Sequence, residues 1–314
     1  MNYVFFDIEC ANCLNGEGKM CSFGYVLTDE KFRVIRKKDI LMNPAAKFLL
    51  GNAKTGEGIK LAYPLYKFER QHTFPYYYNE IKNLLENPDN ISFGFAVFQD
   101  VSYLSYTCRR YGLPIIRFSF FDIQKFEKLI HKRKDISGLD GLIEEYHLTS
   151  YTYHRSDDDA LMTMEVFRSI VETHRLTVST ILEEYKTAYN DTDRLLAELE
   201  ARKKQKIIKQ QHIEKIHQFY EEPHHPFNMN LFNPKLYKKK FFIEYGLLYE
   251  EISFFMKDKE NMESHGMVFT RNPMEADIAL IYDHNHPPKL PSMKEDIQYM
   301  DFEELKTELK GKGH

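Results

Sequence analysis

The chain has 314 residues, of which 43% are hydrophobic and 29% are charged, as is typical of a globular protein with about two domains. A net charge of −4 provides no overall attraction to a polyanion, so any nucleic-acid binding must come from local basic patches. No apolar run approaches the roughly 20 residues of a membrane span, and four cysteines in a chain of this length favour free thiols in a cytoplasmic protein over a disulfide framework.

The first 175 residues predict alternating strands and helices. A short apolar run over 3–6 predicts a buried strand, and a hairpin with strands over 22–27 and 32–41 is expected beside it. Two further strands are expected over 91–98 and 115–121. Helical spacing occurs over residues 78–85, 100–111, 123–130, 139–146 and 158–174. The pattern predicts a mixed α/β domain over residues 1–175.

The rest of the chain predicts a linker and a second, smaller domain. Residues 176–234 have a helical pattern rich in lysine and arginine, which is typical of a charged, solvated connecting helix. A basic arm on nucleic acid and a coiled-coil contact are the alternative interpretations. Residues 235–314 predict a small α/β domain, with strands over 241–245, 267–269 and 278–282 and helices over 251–263 and 301–309.

Two carboxylates stand at the end of the first predicted strand. Its period of two places Asp7 and Glu9 on one face, while Phe6 and Ile8 point to the other. Neighbouring carboxylates beside apolar residues repel one another, and a divalent cation that prefers hard oxygen ligands, such as Mg²⁺ or Mn²⁺, removes that conflict. A strand end that runs into a polar turn is the alternative interpretation.

Further acids occur at two later positions. Asp100 lies between a predicted buried strand and a helix, so it is either a ligand or an ordinary helix N-cap. His154 precedes Asp157, Asp158 and Asp159 at the start of a long helix, where acids also favour the positive end of the helix dipole. Two-metal phosphodiester hydrolysis requires such a set of acids. A nearby histidine can take the proton of the attacking water.

These motifs resemble those of the DEDDh, or DnaQ-like, 3′→5′ exonucleases of the RNase H-like fold. The first family motif looks like Phe6-Asp7-Ile8-Glu9, the second resembles Asp100-Val101-Ser102-Tyr103-Leu104, and the third is similar to His154-Arg155-Ser156-Asp157-Asp158-Asp159-Ala160. The resemblance covers about residues 1–175. It implies an RNase H-like exonuclease domain, in which helices flank a mixed sheet.

The resemblance also implies the roles of individual residues. It implies that two divalent cations, Mg²⁺ or Mn²⁺, are held by Asp7, Glu9, Asp100 and Asp159, and that His154 is the general base. Candidate substrate-binding residues are Ile8, Cys10, Phe23, Gln99 and Tyr103. Cys10 and Gln99 differ from the residues usual in the family, which bears on substrate preference. For Ile8 and Phe23, packing in the core is the alternative role.

The segment 235–314 resembles a divergent BRCT domain. The resemblance rests on Phe241-Phe242-Ile243-Glu244-Tyr245-Gly246, on His265-Gly266-Met267-Val268, on Ala276-Asp277-Ile278-Ala279-Leu280-Ile281 and on the last helix from Asp301. The chain has no Trp, although one is characteristic of that family. The resemblance implies contact with DNA ends or with a protein partner, and a purely stabilising domain is the alternative.

We therefore expect a metal-dependent 3′→5′ exonuclease that acts on single-stranded DNA or DNA 3′ ends in repair, processing or proofreading and releases nucleoside 5′-monophosphates. An exoribonuclease or short-oligonucleotide hydrolase is the nearest alternative. A non-catalytic module that binds nucleic acid or protein is the alternative from another class. No membrane partner is expected.

Overall fold

The computed structural model describes residues 1–51, 61–149, 151–282 and 296–310. Contacts between residues divide the chain into two units, Met1–Glu200 (unit 1) and Ala201–His314 (unit 2). The boundaries predicted from the sequence, after residues 175 and 234, are not those of this division. No helix within the described ranges is both long and apolar enough to cross a membrane.

Unit 1 contains a six-stranded mixed sheet with the order β3-β2-β1-β4-β5-β6. Its strands are β1 (Asn2–Cys10), β2 (Met20–Asp29), β3 (Val34–Leu41), β4 (Asn90–Gly94), β5 (Ser119–Asp122) and β6 (Tyr189–Asp191). β2 and β3 form the predicted antiparallel hairpin beside β1. β4 pairs with the other edge of β1 in parallel, β5 is parallel to β4, and β6 is antiparallel to β5.

Helices cover both faces of this sheet. They are α1 (Leu65–Glu69), α2 (Phe74–Leu85), α3 (Phe98–Arg110), α4 (Ile123–Ile130), α5 (Leu139–Glu145), α6 (Ser156–His174) and α7 (Val178–Glu184), and α8 (Thr192–Glu221) continues into unit 2. Val4 and Phe6 of β1 belong to a core with residues of α2 and α3. Tyr3 and Phe5 belong to a second core with residues of α4, α5 and α6. The predicted mixed sheet flanked by helices is therefore confirmed.

Several boundaries in unit 1 differ from the sequence prediction. β4 ends at Gly94 rather than 98 because the chain turns at Ala96, which has a positive φ of 51°. The predicted charged linker begins at 176, yet Val178, Ile181 and Leu195 are buried in the cores of unit 1. Strand β6 was not predicted, because three residues at a sheet edge are too few to show an alternating pattern.

Unit 2 contains a four-stranded parallel sheet with the order β10-β9-β7-β8. Its strands are β7 (Lys240–Ile243), β8 (Val268–Phe269), β9 (Ile278–Ile281) and β10 (Gln298–Asp301), and its further helices are α9 (Tyr245–Ser264) and α10 (Phe302–Leu309). Helix α9 is longer than the predicted 251–263, and its backbone is non-helical at Glu251. Strand β10 was not predicted.

Candidate active site

Strand β1 brings two acids to the face of the sheet that α6 covers. Asp7 and Glu9 follow Tyr3 and Phe5 at alternate positions, and Tyr3 and Phe5 pack in the core that contains α6. Asp159 lies in the first turn of α6. One carboxylate oxygen from each of Asp7, Glu9 and Asp159 lies within 4.8 Å of the other two. Residues distant in sequence thus converge on one point.

The close approach of α6 to the sheet depends on a glycine. Gly24 is the direct neighbour of Asp7 on β2. A Cβ atom at Gly24 would lie 2.0 Å from the carbonyl carbon of Ser156, at the first residue of α6. Ser156 also hydrogen-bonds across this contact, with 2.6 Å between its Oγ and that of Ser22. Only a residue without a side chain at position 24 permits this arrangement.

The acids at this site oppose one another's ionisation. Burial raises the pKa of Asp7 well above its usual value, and the charges of Asp100, Glu9 and Asp159 raise it further. Burial and the charge of Glu9 raise the pKa of Asp159 to about 7. Among the residues that the structure describes, the buried Oδ2 atom of Asp7 has no hydrogen-bond partner. Because an unpartnered buried oxygen and mutually repelling carboxylates are both relieved by a cation, these residues fit a divalent metal ion with oxygen ligands.

Asp100 lies at the edge of this cluster. It is the third residue of α3, so it is not the N-cap, which is Val97. Burial and the charge of Glu9 raise the pKa of Asp100, whereas a hydrogen bond from the backbone N–H of Ile8 lowers it. Asp100 does not belong to the group whose oxygens lie within 4.8 Å of one another. It is nevertheless close enough for its charge to raise the pKa of Asp7.

His154 is held beside the acids by two contacts. Its Nδ1 atom lies 3.3 Å from Oε1 of Glu9, and its backbone N–H hydrogen-bonds to Asp159. The hydrogen bond to Glu9 raises the pKa of the imidazole. The backbone of His154 has a positive φ of 60°, which is uncommon for a residue with a Cβ atom. With 44% of its side chain exposed, the ring remains open to solvent.

The predicted substrate-binding residues lie in different environments. Phe23 is completely buried and stacks on Phe6 with ring centroids 5.7 Å apart, so we assign it to the core rather than to the substrate. Ile8 is also buried, with 6% of its surface exposed. Gln99 is exposed, and Cys10 and Tyr103 are half-buried. These last three residues have surface that a ligand can contact.

A group of polar residues, not predicted from the sequence, joins β3 to the first turn of α6. Lys37 on β3 forms ion pairs with Asp157 and Asp158, and Arg155 lies 2.8 Å from Asp157. These contacts account for Asp157 and Asp158, the two acids of the third motif that lie outside the cluster of Asp7, Glu9 and Asp159. Asp39, two residues after Lys37, accepts a hydrogen bond from the Ser22 hydroxyl group, and burial raises the pKa of Asp39 to about 6. The signal in the sequence was that Lys37 and Asp39 alternate on a predicted strand and therefore share one face of it.

No protein-family model matches the sequence, and no curated protein matches it. Among solved structures, S. pombe Pop2p in its Mg²⁺- and Mn²⁺-bound form is similar, with 15% identity, a TM-score of 0.44, and coverage of 55% of this chain and 84% of that one. The nuclease domain of 3′hExo, a DEDDh family member bound to rAMP, has 12% identity, a TM-score of 0.43, and coverage of 55% and 92%. E. coli Exonuclease I in complex with a dT13 oligonucleotide has 14% identity, a TM-score of 0.42, and coverage of 55% and 41%.

Proposed function

We propose that unit 1 is a metal-dependent 3′→5′ exonuclease of the DEDDh type that hydrolyses phosphodiester bonds and releases nucleoside 5′-monophosphates. One observation carries the proposal. Three acids from the first and third motifs converge within 4.8 Å, although the motifs lie at opposite ends of the domain sequence. Asp100 of the second motif and His154 lie beside them. A polar strand end or a set of helix N-terminal acids would not require this convergence.

Each proposed catalytic residue has a distinct role. We assign Asp7, Glu9, Asp100 and Asp159 as the ligands of two divalent cations, Mg²⁺ or Mn²⁺. When bound, such ions supply a nucleophilic water and neutralise charge on the scissile phosphate and the leaving oxygen. His154 accepts the proton of the attacking water, because its exposed ring lies at the rim of the acid cluster. Glu9 orients that ring through its contact with Nδ1, so Nε2 is left to receive the proton.

The proposed substrate is the 3′ end of single-stranded DNA, and RNA is the alternative. The half-buried Cys10 and Tyr103 and the exposed Gln99 are the proposed contacts of the terminal nucleotide. A DNA strand and an RNA strand of the same sequence, each labelled at the 5′ end, are to be digested in parallel with Mg²⁺, Mn²⁺ or EDTA. Stepwise shortening from the 3′ end that EDTA stops is the expected result, and the faster strand identifies the substrate.

Single substitutions test the assignment of the acids. We expect Asp7→Asn and Asp159→Asn to lower the rate by more than about 100-fold, because each removes a charged oxygen ligand. Asp140→Asn is the matched control, since Asp140 is an exposed acid in the first turn of another helix of the unit. Near-normal hydrolysis by either active-site variant would refute the proposal, and an inactive wild type that binds nucleic acid would favour a binding module.

For unit 2 we propose a BRCT-like domain that contacts DNA ends or a protein partner. Its small four-stranded parallel sheet supports this interpretation. We further propose that the protein works in the cytoplasm, in DNA repair, processing or proofreading. Contact with DNA ends is tested by electrophoretic shifts of blunt-ended and of circular DNA. The Asp7→Asn variant is used so that the DNA is not digested. If the protein bound the two DNAs equally, unit 2 would have no role in recognising DNA ends.

A further inference from the structure

Two histidines outside the proposed active site face each other on the surface of unit 1. His131 directly follows α4, and His174 is the last residue of α6. Their Nε2 atoms lie 3.3 Å apart while their ring centroids lie 5.1 Å apart, so the Nε2 edges are directed towards one another. Two imidazole nitrogens at about 2.0–2.1 Å from one tetrahedral ion are separated by roughly 3.3–3.4 Å. The observed spacing matches that of a shared metal ion.

A buried carboxylate orients one of these rings. Glu127 is fully buried, and its Oε1 lies 3.3 Å from Nδ1 of His131. The same Nδ1 lies 3.1 Å from the backbone carbonyl of Glu127, so two acceptors fix the ring proton on Nδ1. The lone pair of Nε2 is therefore available to a ligand. Histidines that bind metals usually donate their other ring N–H to such a carboxylate or carbonyl.

The hydroxyl group of Tyr146 competes for the same lone pair. It lies 3.3 Å from Nε2 of His131 and donates a hydrogen bond to it. Burial raises the pKa of Tyr146 to about 12, so the phenol keeps its proton at neutral pH. Nε2 of His174 lies 3.3 Å from the same Nε2 atom. An ion bound between the two rings would displace the hydroxyl group of Tyr146, and Tyr146 is thus not a ligand.

We propose that His131 and His174 bind a divalent transition-metal ion such as Zn²⁺, with water at its remaining positions. Imidazole nitrogens favour zinc, copper and nickel, whereas carboxylates favour magnesium and manganese. The site is open to solvent, because 25% of the His131 side chain is exposed and His174 is exposed as well. It lies at the opposite end of α6 from Asp159. The ion would join the C-terminal ends of α4 and α6.

Zinc titration of the full chain tests this site. The background is the Asp7→Asn/Asp159→Asn double variant, stripped with EDTA and then freed of it, so that the carboxylate cluster contributes little binding. Calorimetric titration with ZnCl₂ should show one equivalent bound, and His131→Asn or His174→Asn should weaken binding by more than about tenfold. His147→Asn, which changes an exposed histidine next to Tyr146, should leave it unchanged. Tyr146→Phe should not weaken binding, because it removes a competitor.

One spectroscopic result and two binding results decide the outcome. The electron paramagnetic resonance spectrum of bound Cu²⁺ should show coupling to two imidazole nitrogens, and His174→Asn, which changes an exposed residue at a helix end, should lose the coupling to one of them. Zinc affinity that is unchanged in His174→Asn would overturn the proposal. Zinc binding that disappears only when the thiols of Cys10 and Cys13 are blocked would also overturn it, because these two thiols contact each other and could bind zinc themselves.

Discussion

Asp159 shows how the arrangement of a single residue affects the stability of the protein. Its pKa is raised from 3.8 to about 7, mainly by burial and then by the charge of Glu9. Between these two pH values the Asp159 carboxyl group binds a proton more fully in the folded protein than in the unfolded protein. The contribution of this group to the free energy of unfolding therefore falls as the pH rises through this window, and it is lost above about pH 7.

Replacement of this acid should remove part of that pH dependence. In EDTA, we expect Asp159→Asn to be more stable than the wild type at pH 8 by about 1 kcal/mol or more, because its amide carries no charge. The difference should shrink towards pH 4. Urea denaturation at several pH values measures it, and Asp140→Asn should behave as the wild type. Parallel pH curves for Asp159→Asn and the wild type would contradict the expectation.

The imidazole of His154 allows catalysis to be separated from metal binding. We expect His154→Asn to lower turnover by about 10²–10⁴-fold, the usual contribution of a general base. Its affinity for Mn²⁺ should change little, because the acids remain. Asparagine is chosen because it tolerates the positive φ of this position. His147→Asn is the matched control, since His147 is exposed and also has a positive φ, of 53°. Unchanged turnover in His154→Asn would remove the residue from this role.

At the scale of elements, the contact between β2 and α6 controls the geometry of the site. We expect Gly24→Ala to push α6 away from the sheet, because the new methyl group would meet the backbone of Ser156. Overpacking of this kind costs about 1–3 kcal/mol of stability. Activity should fall as well, since Asp159 moves with the helix. Thermal unfolding and the exonuclease assay measure the two effects.

Gly141 provides the control for that substitution. It lies within α5, and a Cβ atom there would meet no atom of the described residues within 4 Å. Gly141→Ala should therefore raise stability by about 0.5–1 kcal/mol, the usual gain from removing a glycine inside a helix. If Gly24→Ala were equally harmless, the close approach of α6 would not be a constraint.

The sequence predicted those elements whose residues carry a regular pattern. Alternation in β1 placed Asp7 and Glu9 together, and the periodicity of α6 began within two residues of its observed start. Short strands such as β6 and β10 were missed, because their existence depends on a neighbouring strand rather than on their own residues. The role of Lys37 and Asp39 was missed for the same reason, since it depends on which helix covers β3.

At the scale of the whole molecule, each unit has a hydrophobic core of its own. The core of unit 2 includes Phe219, Phe241 and Phe255, whereas the sheet of unit 1 lies between two other cores. We expect calorimetry to resolve two unfolding transitions, of which Mn²⁺ raises the temperature of only one. The Asp7→Asn/Asp159→Asn variant should lose that shift. An equal shift of both transitions would contradict this expectation.

The distance along the chain between the converging residues has a consequence for folding kinetics. Glu9 and His154 are 145 residues apart, so the helix that follows His154 must close a long loop before it docks. When it docks, it brings the carboxylates of Asp7, Glu9 and Asp159 together, and their repulsion opposes docking. Refolding should therefore accelerate in mildly acidic buffer or when manganese is present from the start. The ion that we propose for catalysis would then also help the newly made chain to reach its native state.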